Sequence, residues 1–221
     1  MKYDSFKYLF PPRPKHKIKS TSLPQYDNGQ YYGQVKANGS NSTLYISPEG
    51  KWVLYNRHGE KQTLYRDLQF EKLHRGNGWI VLSAEYLNKN KKHIDGKDFN
   101  HKFIIFDILA YENEILDGTT LQERVELLEK LYPCDPLGKI TENGIMPNPD
   151  PFICQTDVPD IYKVNNFIGD FEKIYNEATK LDVYEGIVIK RKNSILQPLF
   201  KENNNQDWML KCRKETKNYF F

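Results

Sequence analysis

Cysteine is scarce in this 221-residue chain: Cys134, Cys154 and Cys212 are scattered and form no C-x-x-C pair. That argues against a disulfide framework or a zinc finger as the organising device, and the expectation is three reduced thiols. The five histidines show no metal-ligand spacing. No run approaches the roughly 18 apolar residues that a membrane-spanning helix needs. The opening stretch MKYDSFKYLFPPRPKHK lacks the apolar segment of a secretory signal. A strong excess of one charge is missing too. Lys and Arg total 32 against 29 Asp and Glu, a formal net charge of +3, which alone does not specify a polyanionic partner. These absences predict a soluble, cytoplasmic protein with no membrane partner.

What is present is apolar and aromatic material, with 15 Tyr, 12 Phe and a hydrophobic fraction of 38%. That is enough to build the core of one large domain, so disorder is not expected. The basic residues are unevenly spread. PRPKHKIK runs from Pro12 to Lys19, KNKKH occupies 89–93, and LKCRKETK lies near the end. Such clusters serve either as solvated loops or as nucleic-acid contacts.

The first 30 residues, rich in Pro and polar side chains, predict an extended arm with little regular structure, followed by a domain over 31–221. From Tyr31 the texture is strand-like: YYGQVK, STLYIS and KWVLYN, with SPEG at 47–50 as a hairpin turn. WIVLSAEYL (79–87) and KFIIFDILAY (102–111) read as buried strands, the second as a central one. Thr120 and Glu123 form a capping-box pattern ahead of LQERVELLEKLY, and Pro133 closes that helix. A second helix is predicted across FIGDFEKIYNEATKL (167–181), with Phe167, Phe171, Ile174 and Ala178 at helical spacing. Between the helices the chain is rich in proline and reads as loop. VYEGIVIKRK (183–192) and DWMLKCRK (207–214) complete the strands. The fold class is α+β, mainly antiparallel sheets with flanking helices.

Three short segments carry candidate chemistry. In QVKANGSN, Lys36 stands at a strand end before Asn-Gly, where it can enter a cleft or simply precede a surface turn. In EGIVIK, strict alternation puts Glu185, Ile187 and Ile189 on one face and Gly186, Val188 and Lys190 on the other. A joint role for Glu185 and Lys190 then needs strand twist or a ligand that reaches both. In MLKCRK, Lys211 and Arg213 share a face. Either an anion such as phosphate separates the two charges, or they protect an exposed edge.

In this order, the segments resemble the covalent nucleotidyltransferase superfamily: ATP-dependent DNA ligases, RNA ligases and mRNA capping enzymes. The family's K-x-D/H-G motif matches Lys36-Ala37-Asn38-Gly39, and its S/T-R-x-G element matches Asn56-Arg57-His58-Gly59. The G-E-L element is echoed by Ala84-Glu85-Tyr86-Leu87 and the F-D element by Phe106-Asp107. The last two motifs are Glu185-Gly186-Ile187-Val188-Ile189-Lys190 and Leu210-Lys211-Cys212-Arg213. Six short motifs in the family's order, over residues 31–214, are hard to obtain by chance. Gly39-Ser40-Asn41 is similar to the K-x-H-G-T-N of nick-sealing RNA ligases, whereas DNA ligases and capping enzymes usually carry arginine where Asn41 stands.

The resemblance implies an ATP-dependent RNA ligase that joins 5′-phosphate and 3′-hydroxyl ends through a lysyl-AMP intermediate. A minimal DNA ligase, a capping-type guanylyltransferase and an inactive nucleic-acid-binding module are the alternatives. It implies a ligase-type nucleotidyltransferase domain without an OB-fold, and ATP with Mg²⁺ or Mn²⁺ as cofactors. Its implied partner is nucleic acid: RNA, a nicked duplex or an RNA–DNA hybrid. Lys36 would be the nucleophile, with Glu185, Lys190 and Lys211 completing the catalytic set. Glu85 would accept from the ribose hydroxyls, Phe106 would stack on the base, and Gln34 would lie near the base edge. Asn41, Arg57, Lys190, Lys211 and Arg213 would contact phosphates or the nucleic-acid backbone. Glu185 would bind the metal.

The match departs from the family in four places. Asn38 replaces Asp or His, and Ala84 replaces a glycine, which could crowd the ribose. Arg213 replaces the second lysine of K-x-K. The residues after Lys214 are too few for the appendage of known ligases, so the arm, the basic clusters or a partner protein would supply the grip on substrate.

Overall fold

The computed structural model describes residues 2–64, 66–89, 91, 96, 98–134, 139–141, 144–146 and 150–215. Much of the basic run at 89–93, the last residues of the basic tail, and Pro136, Pro147 and Pro149 of the predicted loop lie outside them.

Thirteen strands and two helices follow one another among the described residues. The strands are β1 (Arg13–Lys17), β2 (Tyr31–Ala37), β3 (Ser40–Ile46), β4 (Trp52–Asn56), β5 (Ile80–Leu87), β6 (Lys102–Tyr111) and β7 (Glu114–Ile115). After α1 (Leu121–Leu131) come β8 (Lys139–Thr141), β9 (Gly144–Met146), β10 (Ile153–Gln155) and β11 (Ile161–Val164). Then follow α2 (Phe171–Ala178), β12 (Tyr184–Arg191) and β13 (Asn205–Arg213). One sheet has the order β1-β13-β12-β2; the larger runs β10-β11-β6-β5-β3-β4, with β7 paired to β6. Most pairings are antiparallel, but β1 runs parallel to β13 and β11 parallel to β6. The sheets are therefore mixed.

Local signals are met where they are strong. The SPEG turn closes the β3–β4 hairpin, with Gly50 N–H donating to the Ser47 carbonyl. KFIIFDILAY is β6, flanked by β5 and β11. Thr120 caps α1 with the full capping box: its side chain accepts from the Glu123 N–H, and Glu123 accepts from the Thr120 N–H. Leu128 and Leu131 then pack on Ile105 and Ile108 of β6.

Three expectations are corrected. The first 30 residues are not irregular: they hold β1 and a 3-10 turn at Ser20–Tyr26, and Tyr3, Leu9 and Leu23 are buried. Tyr3 and Leu9 join a core cluster with Tyr45 and Val81, and Leu23 joins another with Val35 and Ile187. The second helix starts only at Phe171, because Gly169 and Asp170 hold positive φ of 96° and 53°. Phe167 instead pairs with Gly33 through reciprocal backbone bonds. Third, Cys134, just after α1, and Cys154 of β10 form a disulfide with Cα atoms 5.9 Å apart. Only Cys212 stays a thiol, buried, and burial pushes its pKa up to about 12.

Candidate nucleotide-binding cleft

The two sheets face each other across a cleft of about 100 Å³. Gln34 and Lys36 of β2, Val188 and Lys190 of β12, and Met209 of β13 line one side. Asn41, Glu85, Ile104 and Phe106 from β3, β5 and β6 line the other. Alternation accounts for most of this. On β2 and β12 the odd-numbered Val35, Ile187 and Ile189 enter a core cluster, which leaves their even-numbered neighbours for the cleft.

Glu185 breaks that parity. The pairing of β12 with β2 shifts between Tyr184 and Gly186: Tyr184 opposes Ala37, yet Gly186 opposes Lys36. Glu185 is the extra residue of a β-bulge, which turns its carboxylate onto the side of Lys36 and sends Tyr184 into the core. Gly186 makes the bulge possible. Its φ is +148°, and a Cβ there would stand 1.9 Å from the Cys212 carbonyl oxygen.

Lys36 Nζ forms an ion pair with Glu185 Oε1, and Arg213 Nη2 forms one with Glu185 Oε2. One carboxylate thus holds two cations from the flanking strands. On Arg213's side of β13, burial lowers the Lys211 pKa, and the neighbouring charges of Lys36, Lys17 and Arg213 add to the effect. Its ammonium lies 3.4 Å from the Pro14 carbonyl.

Glu85 faces this group from β5. Burial drives its pKa up to about 7, against the lowering effect of Lys36, with the Glu185 charge adding to the rise. It accepts a hydrogen bond from the Gly39 N–H at 3.2 Å. Gly39 is required for close approach rather than for a turn with positive φ: a Cβ would lie 2.5 Å from the Tyr86 carbonyl oxygen. Ala84 does not crowd this site, since it points into the core with Leu44 and Ile105.

Deeper in the cleft Lys190 is 2% exposed, and its ammonium stands 5.1 Å from the centre of the Phe106 ring. Burial pulls its pKa down to about 8, partly offset by Asp107. Asp107 is itself locked to Arg124 of α1, at 2.8 Å and 3.3 Å. Gln34 donates to Asn166 Oδ1 at 2.7 Å.

Among the predicted site residues, Gln34, Lys36, Asn41, Glu85, Phe106 and Lys190 share the cleft wall. Glu185 and Arg213 adjoin it through Lys36, and Lys211 lies beside them. Arg57 stands outside the wall, in the turn after β4, close enough for its charge to lower the Glu85 pKa. Sequence reasoning missed Asp107 with Arg124, Asn166, and the segment Pro11–Pro14, which also lines the cleft. Arg124 carried a signal: it falls between Leu121 and Val125 on the apolar face of α1, where a charge demands a buried partner. A larger hollow of about 550 Å³ beside α2 contains none of these residues.

The geometry defines a cleft with one lysine at the tip of a strand, clustered cations and two carboxylates beside an apolar lining. The chain's fold is shared with solved structures of DNA ligases. The mycobacterial DNA ligase D complexed with ATP superposes with a TM-score of 0.59 at 17% identity over 94% of this chain. The ligase domain from M. tuberculosis LigD gives 0.60 at 19% over 93%, and a Lig E DNA ligase gives 0.51 at 12% over 92%. The chain spans 62% and 60% of the length of the first two. No protein-family model matches the sequence, and no curated protein matches it. Among the described residues, no helix is long and apolar enough to cross a membrane.

Proposed function

We propose that the chain is the adenylylating domain of an ATP-dependent polynucleotide ligase, with Lys36 as the nucleophile. The observation that carries this is the convergence of Lys36, Glu185 and Arg213 from three adjacent strands. They meet beside an apolar slot of Phe106, Val188 and Met209 that suits a flat base.

In the first step the Lys36 amine attacks the α-phosphorus of ATP. A P–N bond forms, the bond to the β-phosphate oxygen breaks, pyrophosphate leaves and the amine loses a proton. Lys190, Lys211 and Arg213 stabilise the charge that develops on the phosphates. AMP then passes to a 5′-phosphate, releasing Lys36, and attack by a 3′-hydroxyl on that phosphate expels AMP. Glu85 receives the ribose hydroxyls, Phe106 the base face and Gln34 the base edge, while Asn41 and Arg57 reach the phosphates.

No cluster of three or more metal-ligating side chains exists among the described residues. Glu185 nevertheless presents a carboxylate beside Lys36 at the edge of the cleft. That donor fits Mg²⁺ or Mn²⁺, which bind through one or two carboxylates plus substrate phosphates. The bound ion would neutralise phosphate charge.

The Gly39-Ser40-Asn41 element favours an RNA strand, in a nicked duplex or an RNA–DNA hybrid. The likeness to DNA ligase structures favours DNA equally. The test is incubation with α-labelled ATP or GTP and Mg²⁺, followed by denaturing electrophoresis and then sealing of all-DNA and RNA-containing nicks. ATP label lost in Lys36→Ala is the expected result. Label from GTP alone would indicate a capping reaction, and no label from either would leave an inactive binding module. The nick that is sealed decides between RNA and DNA.

A further inference from the structure

Arg13 has no part in the steps above, yet it lines the same cleft as Lys36, Asn41 and Glu85. Its Nη2 donates to the Arg57 carbonyl oxygen at 2.6 Å, so the side chain spans from the β1 edge of one sheet to the end of β4 in the other. The bond seats the Arg13 guanidinium against the backbone of Arg57, whose own charge acts on Glu85 of the cleft. Neither arginine meets a carboxylate among the described residues: the Arg13 guanidinium bonds a carbonyl, and Arg57 Nε lies 3.0 Å from His58 Nε2. Cations elsewhere are commonly neutralised, as Arg75 is by Asp157, Lys102 by Asp160 and Arg124 by Asp107.

The segment is also held in advance. Arg13 N–H donates to the Asn204 carbonyl at 2.9 Å, Phe10 N–H to the Leu199 carbonyl at 2.7 Å, and Asn204 Nδ2 to the Phe10 carbonyl at 2.8 Å. Pro11, Pro12 and Pro14 fix φ on either side of Arg13. Little ordering entropy remains to be lost on binding.

We propose that Arg13 and Arg57 together form a phosphate-binding site at the mouth of the cleft, in which Arg13 is a ligand contact supplied by the N-terminal segment. The bond to the Arg57 carbonyl leaves most of the planar fork of Arg13 available, and this fork matches phosphate oxygens two at a time. The phosphate chemistry is shared by the terminal phosphates of a nucleoside triphosphate and by the 5′-phosphate of a nucleic-acid end. Only the choice between these sources rests on the ligase reading.

The test is equilibrium binding without turnover, on wild type, Arg13→Ala, Arg13→Lys and Arg13→Gln. Three probes are titrated by calorimetry: inorganic pyrophosphate, ATP, and a nicked duplex carrying either a 5′-phosphate or a 5′-hydroxyl. Arg13→Ala should weaken one phosphate-bearing probe about tenfold to a hundredfold, with Arg13→Lys intermediate. Loss confined to pyrophosphate and ATP assigns the site to the nucleotide. Loss of discrimination between 5′-phosphate and 5′-hydroxyl assigns it to the nucleic-acid end. If Arg13→Ala melts at a lower temperature, Arg13→Gln decides, because its amide can still donate to the Arg57 carbonyl without the charge. Affinities within twofold of wild type for all probes would overturn the proposal, as would a wild type that binds none. Missing Lys36 labelling with intact Arg13-dependent binding would sink the ligase reading alone. Intact labelling with Arg13-independent binding would sink only this one.

Discussion

Removing the guanidinium of Arg124 should destabilise the protein more than any change at the rim of the cleft. Arg124 and Asp107 are 1% and 2% exposed, so neither charge has water to fall back on. The guanidinium meets both carboxylate oxygens, at 2.8 Å and 3.3 Å, and its Nη1 meets the Thr119 carbonyl at 3.0 Å. Arg124→Met preserves the aliphatic stem but leaves a buried carboxylate without its partner, a change that costs about 3–5 kcal/mol. The Lys190 charge also acts on Asp107, which places the expected loss near the lower end, about 3 kcal/mol. At this chain length that lowers Tm by roughly 6–12 °C. Urea unfolding followed by far-ultraviolet circular dichroism at pH 7 measures it, with the slope unchanged. Asp107→Asn combined with Arg124→Met removes both charges and should recover about half of the loss. A loss below about 1 kcal/mol for Arg124→Met, or a double variant worse than the sum of the singles, would refute the assignment of this pair as a buried support beneath Lys190.

Other outcomes follow from the same geometry. Glu85 holds its proton up to about pH 7 in the folded state against 4.5 in the unfolded chain. Its contribution is therefore fully present below 4.5 and is lost as pH rises through 7; relative to Glu85→Gln, wild type should lose on the order of 3 kcal/mol across that window in pH-dependent unfolding. Lys190 behaves oppositely: its folded pKa of about 8 lies below the usual 10.5, so wild type should gain stability relative to Lys190→Met as pH rises from 8 to 10.5. Equal slopes for variant and wild type would remove either assignment. Gly186→Ala should cost at least about 3 kcal/mol and abolish Lys36 labelling, because its Cβ meets a backbone oxygen that cannot retreat; a folded, fully labelling variant would disprove the role given to the bulge.

The sequence discloses elements whose causes are local. The β3–β4 hairpin carries its own turn, α1 its capping box, and β6 an apolar run long enough to mark a central strand. Lys36, Glu185 and Lys211 were recognisable by their motifs. Their juxtaposition was not: strict alternation directs Glu185 away from the cleft, and only the fit of Gly186 beneath the Cys212 carbonyl reverses it. The partner of Gly186 lies on another strand, out of reach of any local pattern. The same applies to β1, where Pro and Lys mask a strand that exists because β13 offers an edge beside it. Cys134 and Cys154, 20 residues apart, meet only once α1 and β10 are in place.

The smaller sheet also dictates an order of events in folding. Its strands come from opposite ends of the sequence: Arg13 lies beside Asn205, and Tyr31 beside Arg191. The larger sheet is stitched mostly from neighbours in sequence, β3 with β4 and β5, β5 with β6. Loop closure favours short connections, so the larger sheet can nucleate while the smaller waits for a span of nearly the whole chain to be closed. During synthesis, β1 and β2 emerge first and pair last. Lys36 therefore stays without its strand neighbours until β12 and β13 arrive, and the cleft takes shape only in the closing act of folding. Refolding kinetics should accordingly show the packing of Trp52 of β4 on Phe70, 5.1 Å between ring centres, ahead of any nucleotide-dependent signal.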